Sequence, residues 1–224
     1  MPSLAQDGEV YVLDLGDDEN RFHPDWMKSV DGFLDEVAAV EGPRALVTKA
    51  TGKFFSNGLD IDWLGEHSDQ ATEYVHQVHA LFARVLAFPA PTVAALQGHT
   101  FAAGAMLALA HDWRYMRADR GFFCLPEADI NIPFTEGMTA LIKAKLTPAA
   151  ATETMVSARR FGGEDALAAG LVDAVADEEA LLPGAIERAR GLAAKDGATL
   201  GTIKQRMYAS ELAVLLDTSG NPFG

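Results

Sequence analysis

The chain has 224 residues, 49% hydrophobic and 22% charged, a balance that suits a folded chain with a sizeable core and excludes a disordered or disulfide mini-scaffold. Lys and Arg total 18 against 32 Asp and Glu, a net charge of −14 that argues against general affinity for nucleic acid or an anionic membrane surface, while leaving room for a local cationic cleft. The single cysteine, Cys124, excludes an intrachain disulfide and a cysteine-type zinc site; between Phe122, Phe123 and Leu125 it reads as a packed apolar residue. Its apolar runs, Leu86 to Leu96 and Phe101 to Ala110, fall short of the ~20 residues of a membrane span. With no leader at MPSLAQDGEV and no organelle address at SGNPFG, the expectation is a soluble, cytoplasmic protein without membrane or nucleic-acid partners.

Near-alternating apolar residues predict a strand over Glu9 to Leu15, ended by the turn cluster Gly16 to Asn20. From Pro24 to Val40 the period changes to three and four, through Met27, Val30, Phe33, Leu34 and Val37, which predicts an amphipathic helix stopped at Gly42-Pro43. Ala45 to Ala50 reads as a buried strand, and a loop then carries FFSNGLD at 54 to 60. A second helix is expected over Thr72 to Ala87, broken by Pro89 and Pro91 before a strand over Thr92 to Leu96.

Phe101 to His111 is apolar almost all round and predicts a helix buried within the domain, followed by a strand over Trp113 to Arg117. The remainder reads mainly as helix, over Glu136 to Leu146, Pro148 to Ser157, Glu178 to Ala194 and Thr202 to Leu216, with a short strand near Leu171 to Val175. Alternating strands and helices predict an α/β fold with right-handed crossovers and a mostly parallel sheet. Ligands of such sheets sit beyond strand C-termini, which directs attention to 51 to 60 and 97 to 106. Small residues in both segments, Ser56-Asn57-Gly58-Leu59 and Ala102-Ala103-Gly104-Ala105, leave backbone N–H groups open to an anion or a developing oxyanion.

Together, ALVTKATGKFFSNGLDIDWL at 45 to 64, PTVAALQGHTFAAGAMLALAHDWRYMRADRGFFCLPEADI at 91 to 130 and FGGEDALAAGLVDAV at 161 to 175 resemble the crotonase, or enoyl-CoA hydratase/isomerase, superfamily. The resemblance implies a crotonase-like ββα superhelical core over 1–175 and a helical C-terminal region over 176–224 that covers the pocket and assembles a homotrimer or hexamer. It implies an acyl-CoA substrate whose thioester oxygen is held by the N–H groups of Leu59 and Ala103. Phe55, Ser56, Asn57, Gly58, Asp60, Gly104 and Met106 are expected in the substrate site, although Asp60 and Asp62 also stand where acidic residues cap a helix. No metal or redox cofactor is implied, coenzyme A being part of the substrate.

Family hydratases carry two glutamates. Met106 occupies the first of these positions and Glu127 matches the second, in Cys124-Leu125-Pro126-Glu127. Hydration wants one group to activate water and another for the α-proton, whereas a double-bond shift needs one carboxylate and an oxyanion hole. The chain is similar in this respect to the plant Δ3,Δ2-enoyl-CoA isomerases of fatty-acid oxidation, which pair an apolar residue at the Met106 position with a Glu-x-Asp like Glu127-Ala128-Asp129.

Glu136, followed by Gly137, is a second acid/base candidate that also suits a helix start. Arg21, Lys53, Lys204 and Arg206 are candidates for the CoA phosphates. His76 and His79, three apart, lack the further ligands a metal site needs, and His99 reads as a packing residue beside the second segment. The alternatives are a hydratase working through Glu127 with Glu136, or a non-catalytic acyl-CoA binder.

Overall fold

A computed structural model describes residues 1–222. The chain opens with β1 (Ser3–Asp7) and β2 (Val10–Asp14), an antiparallel hairpin turning at Gly8. Then follow α1 (Pro24–Ala38), β3 (Ala45–Lys49), β4 (Phe54–Ser56), α2 (Ile61–Glu66), α3 (Ala71–Leu86), β5 (Thr92–Leu96), β6 (His99–Phe101) and α4 (Ala103–Ala110). The second half holds β7 (Trp113–Arg117), β8 (Phe123–Cys124), α5 (Glu127–Ile130), α6 (Glu136–Lys145), α7 (Pro148–Ser157), α8 (Gly163–Ala168) and β9 (Ala174–Ala176). It ends in α9 (Glu178–Arg190), α10 (Gly197–Met207) and α11 (Ala209–Leu215).

Two sheets organise these elements. The larger runs β1-β2-β3-β5-β7-β9, parallel from β2 onward. The smaller is the parallel set β4-β6-β8. Each strand of the small sheet follows a strand of the large one, so the chain climbs as repeated strand-strand-helix turns. The periodicity reading joined Phe101 and Ala102 to the buried helix; in the structure β6 occupies His99–Phe101 and α4 begins at Ala103. Likewise, the single helix expected over Thr202 to Leu216 is two, α10 and α11, divided at Tyr208.

One face of the large sheet meets the amphipathic faces of α1 and α3 and the wholly buried α4, where Leu34, Val78, Leu81, Phe82 and Leu109 share a core. Burying a Leu or Phe side chain stabilises by roughly 1.5–3 kcal/mol, and this core is the main support of the site. The other face packs against α9, whose Leu181, Ala185 and Ala189 sit on Val47, Val93 and Ala95. The segment after residue 175 thus completes the sheet's packing as well as capping the helical end. Among the described residues no helix is long and apolar enough to cross a membrane.

Candidate active site

All three strands of the small sheet deliver a functional group from their C-terminal ends. After β4 the chain turns through Asn57, Gly58 and Leu59 to α2; after β6 it turns at Ala102 into α4; after β8, Leu125 and Pro126 lead to Glu127. Parallel pairing of β6 with both β4 and β8 sets these three exits side by side.

Glycine makes the first two exits touch. A Cβ at Gly58 (φ +82°) would lie 2.6 Å from the Ala103 nitrogen, and one at Gly104 would lie 2.4 Å from the Ser56 carbonyl oxygen. Ser56 braces the turn from below, its hydroxyl donating to the Asn20 carbonyl (2.7 Å) and accepting from the Gly58 N–H (3.0 Å). The Asn57 N–H donates to the Glu19 carbonyl at 2.9 Å and the Gly58 carbonyl accepts from Phe22 at 2.8 Å.

Among the described residues three donors at these turns are left over, the N–H groups of Leu59, Ala103 and Gly104, and the first two belong to residues that line the cavity. Ala102 N–H donates to the Cys124 carbonyl, and the Ala105 and Met106 N–H groups both reach the Ala102 carbonyl. Ala103, as the first residue of α4, has no intrahelical acceptor for its N–H. Among the described residues neither the Leu59 nor the Ala103 N–H has a hydrogen-bond acceptor. Ala102 holds φ 51° and ψ −130°, a conformation that costs a residue with a Cβ about 1–3 kcal/mol. That strain sits at the turn that aims the Ala103 N–H.

Both residues line a cavity of about 450 Å³. Its walls are apolar (Val75, Met106, Ile130, Ile132, Met138), with Arg21, Ile61 and Asp62 toward solvent and Glu127 inside. Glu127 is 6% exposed, and its Oε2 is buried without a hydrogen-bond partner. Burial pushes its carboxyl up from the ordinary 4.5 to about 7. A carboxyl so placed exchanges protons readily near neutrality. Asp62, the other carboxylate of the lining, is held by Arg21 at 2.7 Å.

The structure redistributes several expected site residues. Asn57, Leu59, Ala103 and Met106 line the cavity, and Gly58, Gly104 and Ser56 form its backbone scaffold. Phe55 does not reach the cavity, because alternation along β4 turns it fully into the core. Asp60 caps α2, accepting from Trp63 N–H at 3.2 Å, while its own N–H is bound by the Tyr74 hydroxyl at 2.9 Å.

Glu136 is exposed at the start of α6 and faces a different cavity from Glu127, because the Thr135 cap turns it away. Lys204 is not a phosphate ligand: it is 2% exposed, bonded to Asp112 Oδ2 (2.6 Å) and the Ala90 carbonyl (2.8 Å), and it pins α10 to the sheet. Of the other cations, Arg21 stands at the mouth, while Lys53 lies over the Phe54 ring at 5.1 Å. His79 is bound to Thr135 and Cys124 donates to the Ala158 carbonyl, its thiol pushed up to about 11 by burial. Sequence reasoning missed Thr135 as a cavity residue; its one signal was the cap preceding Glu136.

Residues 16–216 match the family model described as enoyl-CoA hydratase/isomerase, and the chain belongs to that family of enzymes. It is 37% identical over 232 residues to enoyl-CoA delta isomerase 3 of Arabidopsis thaliana, covering 99% of this chain and 97% of that one. The peroxisomal enoyl-CoA delta isomerase 2 of the same plant is 37% identical over 228 residues, covering 96% and 95%. Among solved structures, an apo enoyl-CoA isomerase of Mycobacterium tuberculosis superposes with a TM-score of 0.85 at 26% identity, covering 96% of this chain and 93% of that one. A family protein from Pseudomonas syringae gives 0.89 at 26%, with the same coverage.

Proposed function

We propose that the protein is a Δ3,Δ2-enoyl-CoA isomerase, moving the double bond of a 3-enoyl-CoA into conjugation with the thioester. The observation that carries this is the pairing of Glu127, a buried carboxyl without a partner, with the two unsatisfied N–H groups of Leu59 and Ala103 in one cavity. The Glu127 carboxylate removes a proton from C2, and the charge moves onto the thioester oxygen, where both N–H groups bind it. One such donor is worth about 10²–10³ in rate. The resulting carboxylic acid returns the proton at C4 as the C2–C3 double bond forms, which restores the carboxylate.

Hydration would need a second acid/base, and the cavity offers Met106 where family hydratases carry it. Arg21, at the mouth, is the cation we assign to the phosphates of CoA. A role in fatty-acid oxidation, a cytoplasmic location and assembly as a homotrimer or hexamer belong to the same proposal. The first follows from the chemistry of the substrate, and the last is supported by exposed apolar side chains such as Ile203 and Met207 on α10. The test is to incubate the protein with a 3-enoyl-CoA and with a 2-enoyl-CoA and to resolve the products. Conjugated product without a mass gain is expected, and a gain of one water from the 2-enoyl substrate would overturn it.

A further inference from the structure

The acyl cavity ends at a wall with space behind it. Thr135, 4% exposed, lines the 450 Å³ cavity on one side and a second cavity of about 470 Å³ on the other. Its Oγ1 accepts from the Met138 N–H at 3.1 Å, which caps α6, and is bonded to His79 Nε2 at 2.8 Å. His79, 3% exposed, also borders the second cavity. Gly137 gives the imidazole its room: a Cβ there would lie 3.0 Å from His79 Cε1 and 3.1 Å from Nδ1. The far side of the second cavity is built by α11 and the chain after it, through Ala213, Val214 and Asp217.

We infer that the Thr135–His79 pair is the end wall of the acyl-chain site and sets which 3-enoyl-CoA substrates fit, admitting short and medium chains and stopping long ones. This rests on the isomerase reading of the same cavity. The buried lining residues Val75, Met106 and Met138 form the inner end of the cavity, and Arg21 and Asp62 its mouth. A chain growing inward from a thioester at Leu59 and Ala103 therefore runs toward Thr135. The wall is rigid because both partners are buried and hydrogen-bonded to each other. A terminal methyl that meets it has to break that bond, and an unpaired buried polar group is costly. Thr135 is the residue the two cavities share, and removing the imidazole that holds its hydroxyl frees this side chain and opens space behind it for a longer chain.

The experiment compares wild type, His79→Ala and His79→Phe over 3-hexenoyl-, 3-decenoyl- and 3-hexadecenoyl-CoA, reading kcat/KM, with binding of the matching saturated acyl-CoAs by calorimetry. Methylenes in a hydrophobic pocket are each worth about 10–200-fold, so His79→Ala is expected to raise the long-to-short ratio of kcat/KM by at least about tenfold and to tighten long-chain binding in parallel. His79→Phe, which keeps a ring in place but cannot bond Thr135, is expected to shift the ratio clearly less than His79→Ala does. An unchanged ratio in a folded His79→Ala, or the same shift in both variants, overturns the wall. If no 3-enoyl-CoA is turned over, the isomerase reading fails, while the calorimetric length profile still decides for or against the wall.

Discussion

Gly58 and Ala103, 45 residues apart in sequence, are in backbone contact: a Cβ on the glycine would lie 2.6 Å from the Ala103 nitrogen and 2.9 Å from its Cβ. This contact sets the Leu59 turn against the start of α4, so that the acceptor-free N–H groups of Leu59 and Ala103 belong to residues lining one cavity. Gly58→Ala would force the turns apart at a backbone of φ +82°. The expected loss is about 10²-fold or more in kcat, the scale of one oxyanion donor, together with a lower Tm. Steady-state kinetics alongside thermal melts check it, and wild-type kcat would contradict it.

Ala102 carries the site's backbone strain, at φ 51° and ψ −130°. Glycine tolerates this region, so Ala102→Gly removes about 1–3 kcal/mol of strain and adds back about 0.5–1 kcal/mol of unfolded-state entropy. The variant is expected to be about 1 kcal/mol more stable in urea melts, with activity retained.

Glu127 links stability to pH. Below about 4.5 it is protonated in the folded and unfolded chain alike; as pH rises from there to about 7, the unfolded chain gives up its proton first and folding loses free energy. The loss levels off above pH 7 at up to about 3 kcal/mol, from 1.36 kcal/mol per pH unit. Glu127→Gln is expected to recover most of it at pH 8 and almost none at pH 4.5. Denaturant melts at the two pH values read the difference.

The same ionisation sets the rate. Because the base must be a carboxylate, kcat/KM is expected to rise with pH along a limb centred near 7, falling about tenfold one unit below it. Glu136→Gln should leave this limb in place, since Glu136 is exposed on the other side of Thr135.

Lys204 separates structure from substrate binding. Removing one partner of a buried ion pair costs about 3–5 kcal/mol, so Lys204→Ala should strand Asp112 and lower the Tm sharply. KM for acyl-CoA, measured well below the new Tm, should stay at the wild-type value.

The helices and the large sheet were legible because their patterns are long: α1 and α3 repeat the apolar stripe over four turns, and β3, β5 and β7 are runs of five residues. The small sheet was not, since β4 and β6 have three residues and β8 has two, too few for an alternation to show. Yet that sheet is what aligns Leu59, Ala103 and Glu127. The motifs disclosed those three positions, but not which neighbours face them. Glu136 stood as the second acid/base candidate after Glu127 because sequence spacing does not show which side of Thr135 a helix start faces. Lys204 read as a candidate for the CoA phosphates because its partner Asp112 lies 92 residues away. Asp60 followed the motif, and its side chain is spent on the cap.

In the proposed isomerisation one carboxylate, Glu127, carries a proton from C2 to C4 beneath the Leu59 and Ala103 N–H groups. The most direct measurement follows a 3-enoyl-CoA deuterated at C2, in ordinary water, by mass spectrometry and proton NMR of the product. Wild type is predicted to deliver part of the deuterium to C4 of the 2-enoyl-CoA, while Glu127→Gln binds the thioester but turns over at a small fraction of the wild-type rate. Full wash-out of the label with undiminished turnover by Glu127→Gln would contradict the account.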